Sequence, residues 1–406
     1  MTRVGILAAG GAGGARGAAV DAVGVVAADG LGWELDWRIG ADDRWRMPQR
    51  ETAVRQSLVR SAPVVRTAMR VPGGDAVADV YGAAEGGGLV VVEVTNDSPA
   101  PFVVAFVVRA ARSVMVSESV VVVDRRPGLV LSRVPSRWSV TRGGSTDIEV
   151  CGGAAREGAF PATRDRAGRV EAAFLLPVPH RASIRAGIVP AGTTGPVDLG
   201  HLPSADEAAR GWAAQLRRGM RVEVPDGRVS EALAAARAQT LLEAQQPRPP
   251  GLAIAALEDW GFDQESTDAW QRTGARERRV ARHRPARPPH AHELDTLLDR
   301  ARTPGGVSRV AAELLRCARA LLVWESGGDE LVLLSELPTS WQGRDVDVQD
   351  APTRAGPVSF AVRWHGDRPA LLWAAPPGVH VRAPGLDAEW STDVHEGEAL
   401  LAGSAA

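Results

Sequence analysis

Read by its hydrophobic pattern, the chain changes period twice. From the N-terminus to about residue 200 the apolar positions come in short Val-rich runs. Val64–Val71, Leu89–Thr95, Phe102–Ala110, Val116–Asp124, Leu129–Val134, Ile148–Cys151, Ala172–Val178 and Ala182–Val189 are the clearest. Turn-forming clusters separate them, such as Pro72-Gly73-Gly74, Asn96-Asp97-Ser98-Pro99, Arg126-Pro127-Gly128 and Gly143-Gly144. Short runs at roughly 8–12-residue spacing, bounded by turn residues, predict a β-sandwich. Runs without polar alternation, Val120–Val123 among them, predict strands covered on both faces.

From Ser204 the period becomes helical. Ser204 with Glu207 three residues on is a capping-box signal, and Ala208, Trp212, Leu216 and Met220 recur at helical spacing. Asp226 caps a second helix, with Val229, Leu233, Ala236, Thr240 and Leu241 as its apolar face. Leu252–Leu257 with Ser266–Val280, and His290–Ala301 with Val307–Val323, predict two further pairs, while the Pro- and Arg-rich Arg282–Pro289 reads as a loop. Strand runs then return at Leu331–Leu334, Val346–Val348, Val358–Trp364, Ala370–Trp373 and Val379–Val381. The expectation is an α+β chain in three parts: a large β-sandwich over 1–203, a helical domain over 204–325, and a small C-terminal β-domain over 326–406.

Composition removes several function classes. With 406 residues, 45% hydrophobic and 24% charged, the chain is of ordinary globular make-up. Its net charge of −2 gives no electrostatic footprint for nucleic acid or an anionic membrane, so neither is expected as a partner. No apolar run reaches the ~18 residues of a membrane-spanning helix. The first twenty residues, dense in Gly and broken by Arg16, match a secretory segment poorly, so a cytoplasmic location is expected. All 47 basic residues are arginine, as in a bacterium of high G+C content, so an arginine cluster carries less functional weight here than elsewhere.

A large sandwich, then helical hairpins, then a small β-domain resembles the six-hairpin glycosidases. These are the (α/α)6-barrel group of glucoamylase-like hydrolases and maltose- or trehalose-phosphorylase-like enzymes. Trp212–Asp226 (WAAQLRRGMRVEVPD) resembles the linker helix of that group, Gly227–Leu242 (GRVSEALAAARAQTLL) its first barrel helix, and the stretch from Leu331 to Trp373 the exit from its last barrel helix. Twelve barrel helices of ~11–12 residues need well over ~200 residues. About 120 lie between the flanking β-parts. The resemblance therefore implies a truncated or degenerate member with roughly half a barrel. No residue aligns with the family's catalytic carboxylates. What the resemblance implies is a non-catalytic protein for carbohydrate binding or protein interaction, the alternative being a minimal active hydrolase or phosphorylase on an α-glucoside. An incomplete array leaves an apolar side, so a homodimer, a protein partner or the flanking β-domains are expected to cover it.

Glycoside hydrolysis needs two carboxyl groups across one bond. The candidates are Glu258 and Asp259 in LEDWGFD, with Trp260 as a sugar platform and Asp263 as a hydroxyl acceptor. A plain helix end, stopped by Gly261 and with Trp260 buried between hairpins, is the favoured reading of the same residues. GGAGGARG over Gly10–Gly17 echoes a dinucleotide turn, but Arg16 stands where the last glycine belongs, and no cofactor is expected. The segment Arg276–His292 has the arginines for a phosphate or nucleotide-sugar regulator, although a solvated helix end and loop is favoured. His290 and His292 with Glu293 and Asp295 have zinc-ligand types but lack a fourth partner, so no metal is expected. Trp341, Trp364, Trp373 and Trp390 in the C-terminal part, and Trp33, Trp37 and Trp45 near Asp42 and Asp43, read as core before they read as sugar-stacking faces. Cys317, among Leu314, Leu315 and Leu321, reads as a small hydrophobe, and Cys151 as a strand end.

Overall fold

The structure, a computed structural model, describes residues 2–5, 17–84, 88–190, 197–246, 248–281, 287–303, 306–327 and 329–403. The dinucleotide-like stretch before Gly17 and the middle of the Arg/Pro loop, 282–286, lie outside them. The chain is of mixed α and β type with several antiparallel sheets. It divides into two compact units, Met1–Gly211 and Trp212–Ala406.

The first unit is built from an eight-stranded and a nine-stranded sheet. Glu34–Gly40, Phe102–Ala111, Val170–Val178 and Arg137–Arg142 are neighbours in the first, and Ser183–Ile188, Leu89–Asp97, Gly74–Ala83 and Val65–Val71 in the second. Val104, Phe106 and Val108 of one sheet join Val92 and Val94 of the other in a single buried cluster, the core of a sandwich. Alternation does the sorting, because residues two apart share a face.

Four expectations about strands and turns need correction. The run Val116–Asp124 is split by a turn at Glu118–Ser119 into the strands Ser113–Ser117 and Val120–Val123. Arg126-Pro127-Gly128, expected as a turn, opens the strand Arg126–Leu131, the turn lying at Asp124–Arg125. Val120–Val123 is covered on one face only, its residues alternating half-buried and buried. Doubly covered strands are found instead at Phe102–Ala111 and its neighbour Val170–Val178, where outward Ala105 and Val107 pack with Ala173, Leu175 and Val150. Val150 belongs to Ile148–Cys151, which is helical and not a strand: helix α1 spans Asp147–Cys151. Ile148 is 83% exposed and Val150 is buried, so the short helix seats one residue on the sheet. Its acids hold it there, Asp147 pairing with Arg38 and Glu149 accepting from Ser139 Oγ at 2.6 Å.

Beneath α1 lies a charged layer. In Glu34–Gly40 the residues Leu35, Trp37 and Ile39 face the core, which turns Asp36 and Arg38 to the covered outer face with no exposure. Arg38 lies 3.8 Å from Asp36 and 3.7 Å from Glu171, besides its pair with Asp147. Arg109 reaches Asp36 at 2.7 Å, and Gln49 Nε2 donates to the same carboxylate at 2.8 Å. Burial pushes the Asp36 carboxyl up, against the opposing pull of Arg109 and its hydrogen bonds.

The chain's one asparagine, Asn96, closes a corner of the second sheet. Its Nδ2 donates to the carbonyls of Ala100 and Val178 at 2.9 and 3.1 Å, and its Oδ1 accepts from Ser98 N at 3.0 Å and Ser98 Oγ at 2.7 Å. The side chain is fully buried. Asn96→Ala strands several buried partners at once and is expected to cost about 2–4 kcal/mol, read as a lower urea midpoint at unchanged m-value. A cost below ~1 kcal/mol would mean that water replaces the amide there.

Ser204 and Glu207 form the expected capping box, Ser204 N donating to Glu207 Oε2 at 2.8 Å and Glu207 N to Ser204 Oγ at 3.3 Å. It opens helix α2, Ala205–Leu216. In the second unit come α3 (Gly227–Ala244), α4 (Gly251–Asp259), α5 (Asp263–Gln271), α6 (Ala275–Ala281), α7 (Ala291–Ala301) and α8 (Gly306–Leu322). Asp226 caps α3 through Arg228 N, as its position predicts. The single helix expected over Ser266–Val280 is broken into α5 and α6. Thr273 Oγ1 takes the Ala269 carbonyl, Arg278 Nε takes the Thr273 carbonyl at 3.0 Å, and Gly274 carries the turn.

α8 packs against α3, α7 and α4, and runs directly into Val323–Gly327. That strand belongs to a four-stranded sheet with Glu330–Leu333, His380–Ala383 and Asp387–Thr392. A five-stranded sheet holds Val346–Thr353, Gly356–His365, Arg368–Ala374 and Glu396–Leu400, and its edge is Arg221–Glu223, a strand that precedes all of α3–α8. α4 rests on Val346–Thr353 and α8 on Glu330–Leu333. Among the large apolar residues described in α3–α8, the exposed one is Leu252, at 38%. No described helix is long and apolar enough to cross a membrane.

Candidate functional site

The second unit contains a cavity of about 540 Å3 enclosed by α4, α7, α8 and the strand that follows α8. α8 supplies Glu313, Arg316, Cys317 and Ala320, a stripe at offsets of three, four and seven residues that a helix places on one face. α7 supplies His292, Glu293, Thr296 and Leu297; α4 supplies Leu252 and Asp259; Val323–Gly327 supplies Trp324 and Glu325. The volume lies in the range of small-molecule sites, which mix an apolar wall with a few placed polar groups.

Of the four residues singled out in LEDWGFD, the structure brings Asp259 to this cavity. It lies 3.2 Å from Arg316. Glu258 is one residue back on α4, and its carboxylate accepts the Trp270 indole N–H at 2.5 Å. Asp263 is exposed at the start of α5. Trp260 has no exposed surface: its Nε1 donates to the Leu315 carbonyl at 2.8 Å, and the Arg237 guanidinium stands 5.3 Å from its ring. Gly219 lets the backbone close on it, since a Cβ there would meet the Trp260 carbonyl at 2.6 Å.

The other carboxylates of the cavity are ion-paired as Asp259 is. Glu325 lies 3.6 Å from Arg319, which also donates to the carbonyls of Val323 and Pro352. Glu313 pairs with Arg300 at 3.1 Å and Glu293 with Arg287 at 3.0 Å. The Glu293 carboxyl is held down by the backbone N–H of His290, which it caps, and then by Arg287. That makes it a poor proton donor near neutral pH. His290 and His292 stack at 5.5 Å, and His290 Nδ1 lies 2.9 Å from Glu336, which uses these imidazoles in the fold. Among the described residues no three His, Cys, Asp or Glu side chains are grouped so as to hold a metal ion.

Cys317 is half-buried on the cavity wall, a position its leucine neighbours concealed. Burial, with a lesser contribution from the Glu293 charge, pushes its thiol up from 9.0 to about 12. The thiolate is therefore roughly a thousandfold scarcer than for an ordinary thiol near pH 8. Iodoacetamide at that pH is expected to label the exposed Cys151 first, as peptide mapping would read, even though burial and Asp147 raise that thiol too. Faster labelling of Cys317 would mean an ionised, reactive thiol in the cavity.

Arg316, Trp324 and Glu325 were not singled out in the sequence. For Arg316 the one signal is its place beside Glu313 and Cys317 on one face of α8, which cannot be read without knowing which face α7 covers; Trp324 and Glu325, in the strand after α8, carry none. The tryptophans expected in cores are mostly there: Trp33, Trp37, Trp341 and Trp373 are buried, while Trp45, Trp364 and Trp390 are half-buried. Asp43 pairs with Arg46 at 2.6 Å, and Arg44 pairs with Glu51. No family model matches this chain, and no curated protein matches it.

Proposed function

We propose that the chain is a non-catalytic, glycosidase-like protein that binds carbohydrate in the α4–α7–α8 cavity. In this reading α3–α8 are a reduced portion of an (α/α)6 barrel. The observation that carries it is the cavity itself, of a size for one or two sugar rings, whose lining combines ion-paired polar groups with Leu252, Leu297, Ala320 and Trp324. Pyranose rings suit such a wall, because their C–H faces need apolar contact and their hydroxyls need both donors and acceptors. The fold leaves little call for a protein partner or a homodimer to cover α3–α8, since Leu252 is their exposed large apolar residue among those described. That favours a small ligand over protein interaction.

A thermal-shift screen with glucose, maltose, maltooligosaccharides, trehalose and chitobiose tests the reading. A ligand at ~100 times its Kd adds about 2.7 kcal/mol to the folded state, a rise of several degrees. A flat response across the panel sinks carbohydrate binding. The placement of Asp259 favours one second reading, a minimal hydrolase or phosphorylase on an α-glucoside. Release of glucose or glucose 1-phosphate from maltose that is lost in Asp259→Ala would establish it.

A further inference from the structure

Two arginines on the wall of a partly enclosed cavity ordinarily make an anion site, because guanidinium groups match phosphate and carboxylate geometry. Here that capacity is already used. Arg316 is held by Asp259 at 3.2 Å with both side chains less than one-fifth exposed, and Arg319 by Glu325 at 3.6 Å with both nearly buried. The two remaining carboxylates on the wall, Glu313 and Glu293, are balanced from outside it by Arg300 and Arg287. Four carboxylates thus stand against four arginines.

Resting on the reading of this cavity as a ligand site, we infer that it admits uncharged ligands and excludes their phosphorylated or carboxylated counterparts. The Asp259–Arg316 pair is the element that sets the selectivity. An incoming phosphate must either break a shielded ion pair or sit against carboxylates whose charge cancels the guanidinium attraction, and it loses its hydration in both cases. A neutral hydroxyl meets no such conflict. It donates to an Asp259 oxygen and accepts from an Arg316 N–H, inserting into the pair without changing the charge of the cavity.

The test is calorimetric titration of the full chain with glucose, maltose, glucose 1-phosphate, glucuronate and inorganic phosphate, repeated on Asp259→Asn. Wild type is expected to bind the charged compounds at least about tenfold more weakly than the neutral ones. Asp259→Asn releases Arg316 and is expected to gain at least about tenfold for glucose 1-phosphate and inorganic phosphate. Glu313→Gln alters an exposed pair that folding does not need, and gives a smaller gain in the same direction should Asp259→Asn misfold by circular dichroism.

If neutral sugars fail to bind but either variant gains phosphate, the charge lock stands and the carbohydrate reading falls. Binding of glucose 1-phosphate by wild type as tightly as glucose overturns the inference. So does the absence of any phosphate gain in both variants.

Discussion

Trp260→Ala is expected to destabilise the second unit by ~3–5 kcal/mol, the usual cost of truncating a fully buried indole. The sources are separable. The largest is the cavity left where the ring has no exposed surface. The indole N–H bond to Leu315 at 2.8 Å and the Arg237 guanidinium stacked 5.3 Å from the ring add to it. Burial already draws the Arg237 guanidinium down to about 10, so removing its aromatic cover leaves a desolvated charge with one fewer favourable neighbour. Trp260→Phe keeps most of the volume and is expected to cost about 1–2 kcal/mol. Denaturant unfolding of both variants reads the difference. A Trp260→Ala protein of near-normal stability that has lost sugar binding would restore the indole as a sugar platform.

Arg38→Met is the second large effect. The change keeps much of the side-chain volume but removes the cation facing Asp36, Glu171 and Asp147 beneath α1. Breaking a buried charge network from one side costs about 3–5 kcal/mol at neutral pH. The deficit is expected to shrink on acidification. Burial places the folded-state pKa of Asp36 above its ordinary 3.8, so the protonated carboxyl is the form that folding favours. The stability contributed by that group is therefore complete below about 3.8 and lost as pH rises through the folded value. Without Arg38 the Asp36 carboxylate loses a stabilising cation, its folded pKa rises further, and the penalty at pH 7 exceeds the penalty near pH 4. Melting curves of variant and wild type at the two pH values check the sign. A pH-independent deficit would mean that Arg38 acts by packing alone.

The parts of the fold legible in the sequence are those fixed by local chemistry. Most Val-rich runs between turns became strands, Asp226 and Ser204 became caps, and the periodic leucines of α8 became its buried face. The misread parts depend on what covers a surface. Ile148–Cys151 alternates apolar and acidic residues as a strand does, yet it forms a helix whose first residue, Asp147, pairs with Arg38, more than a hundred residues away in sequence. Ser266–Val280 has one continuous period, and the break comes from Arg278 and Thr273 taking carbonyls that a longer helix would have bonded. At the site, Asp259 was legible because carboxylates beside tryptophan draw attention. Its partner Arg316 lies on another helix and is indistinguishable by spacing from the chain's many other arginines.

The position of Arg221–Glu223 bears on how the protein is made. It pairs with Asp347–Gln349, so about 120 residues of helix and strand emerge from the ribosome before its partner does. At ~5–20 residues per second that is a delay of roughly 6–24 s, during which the strand has no sheet to join. The helices form early from local contacts, whereas the five-stranded sheet closes last and carries the loop entropy of everything between. A fragment beginning at residue 326 would never receive this strand. It would present Val346–Thr353 as an open edge, with Asp347 and Asp350 as its protection against self-association.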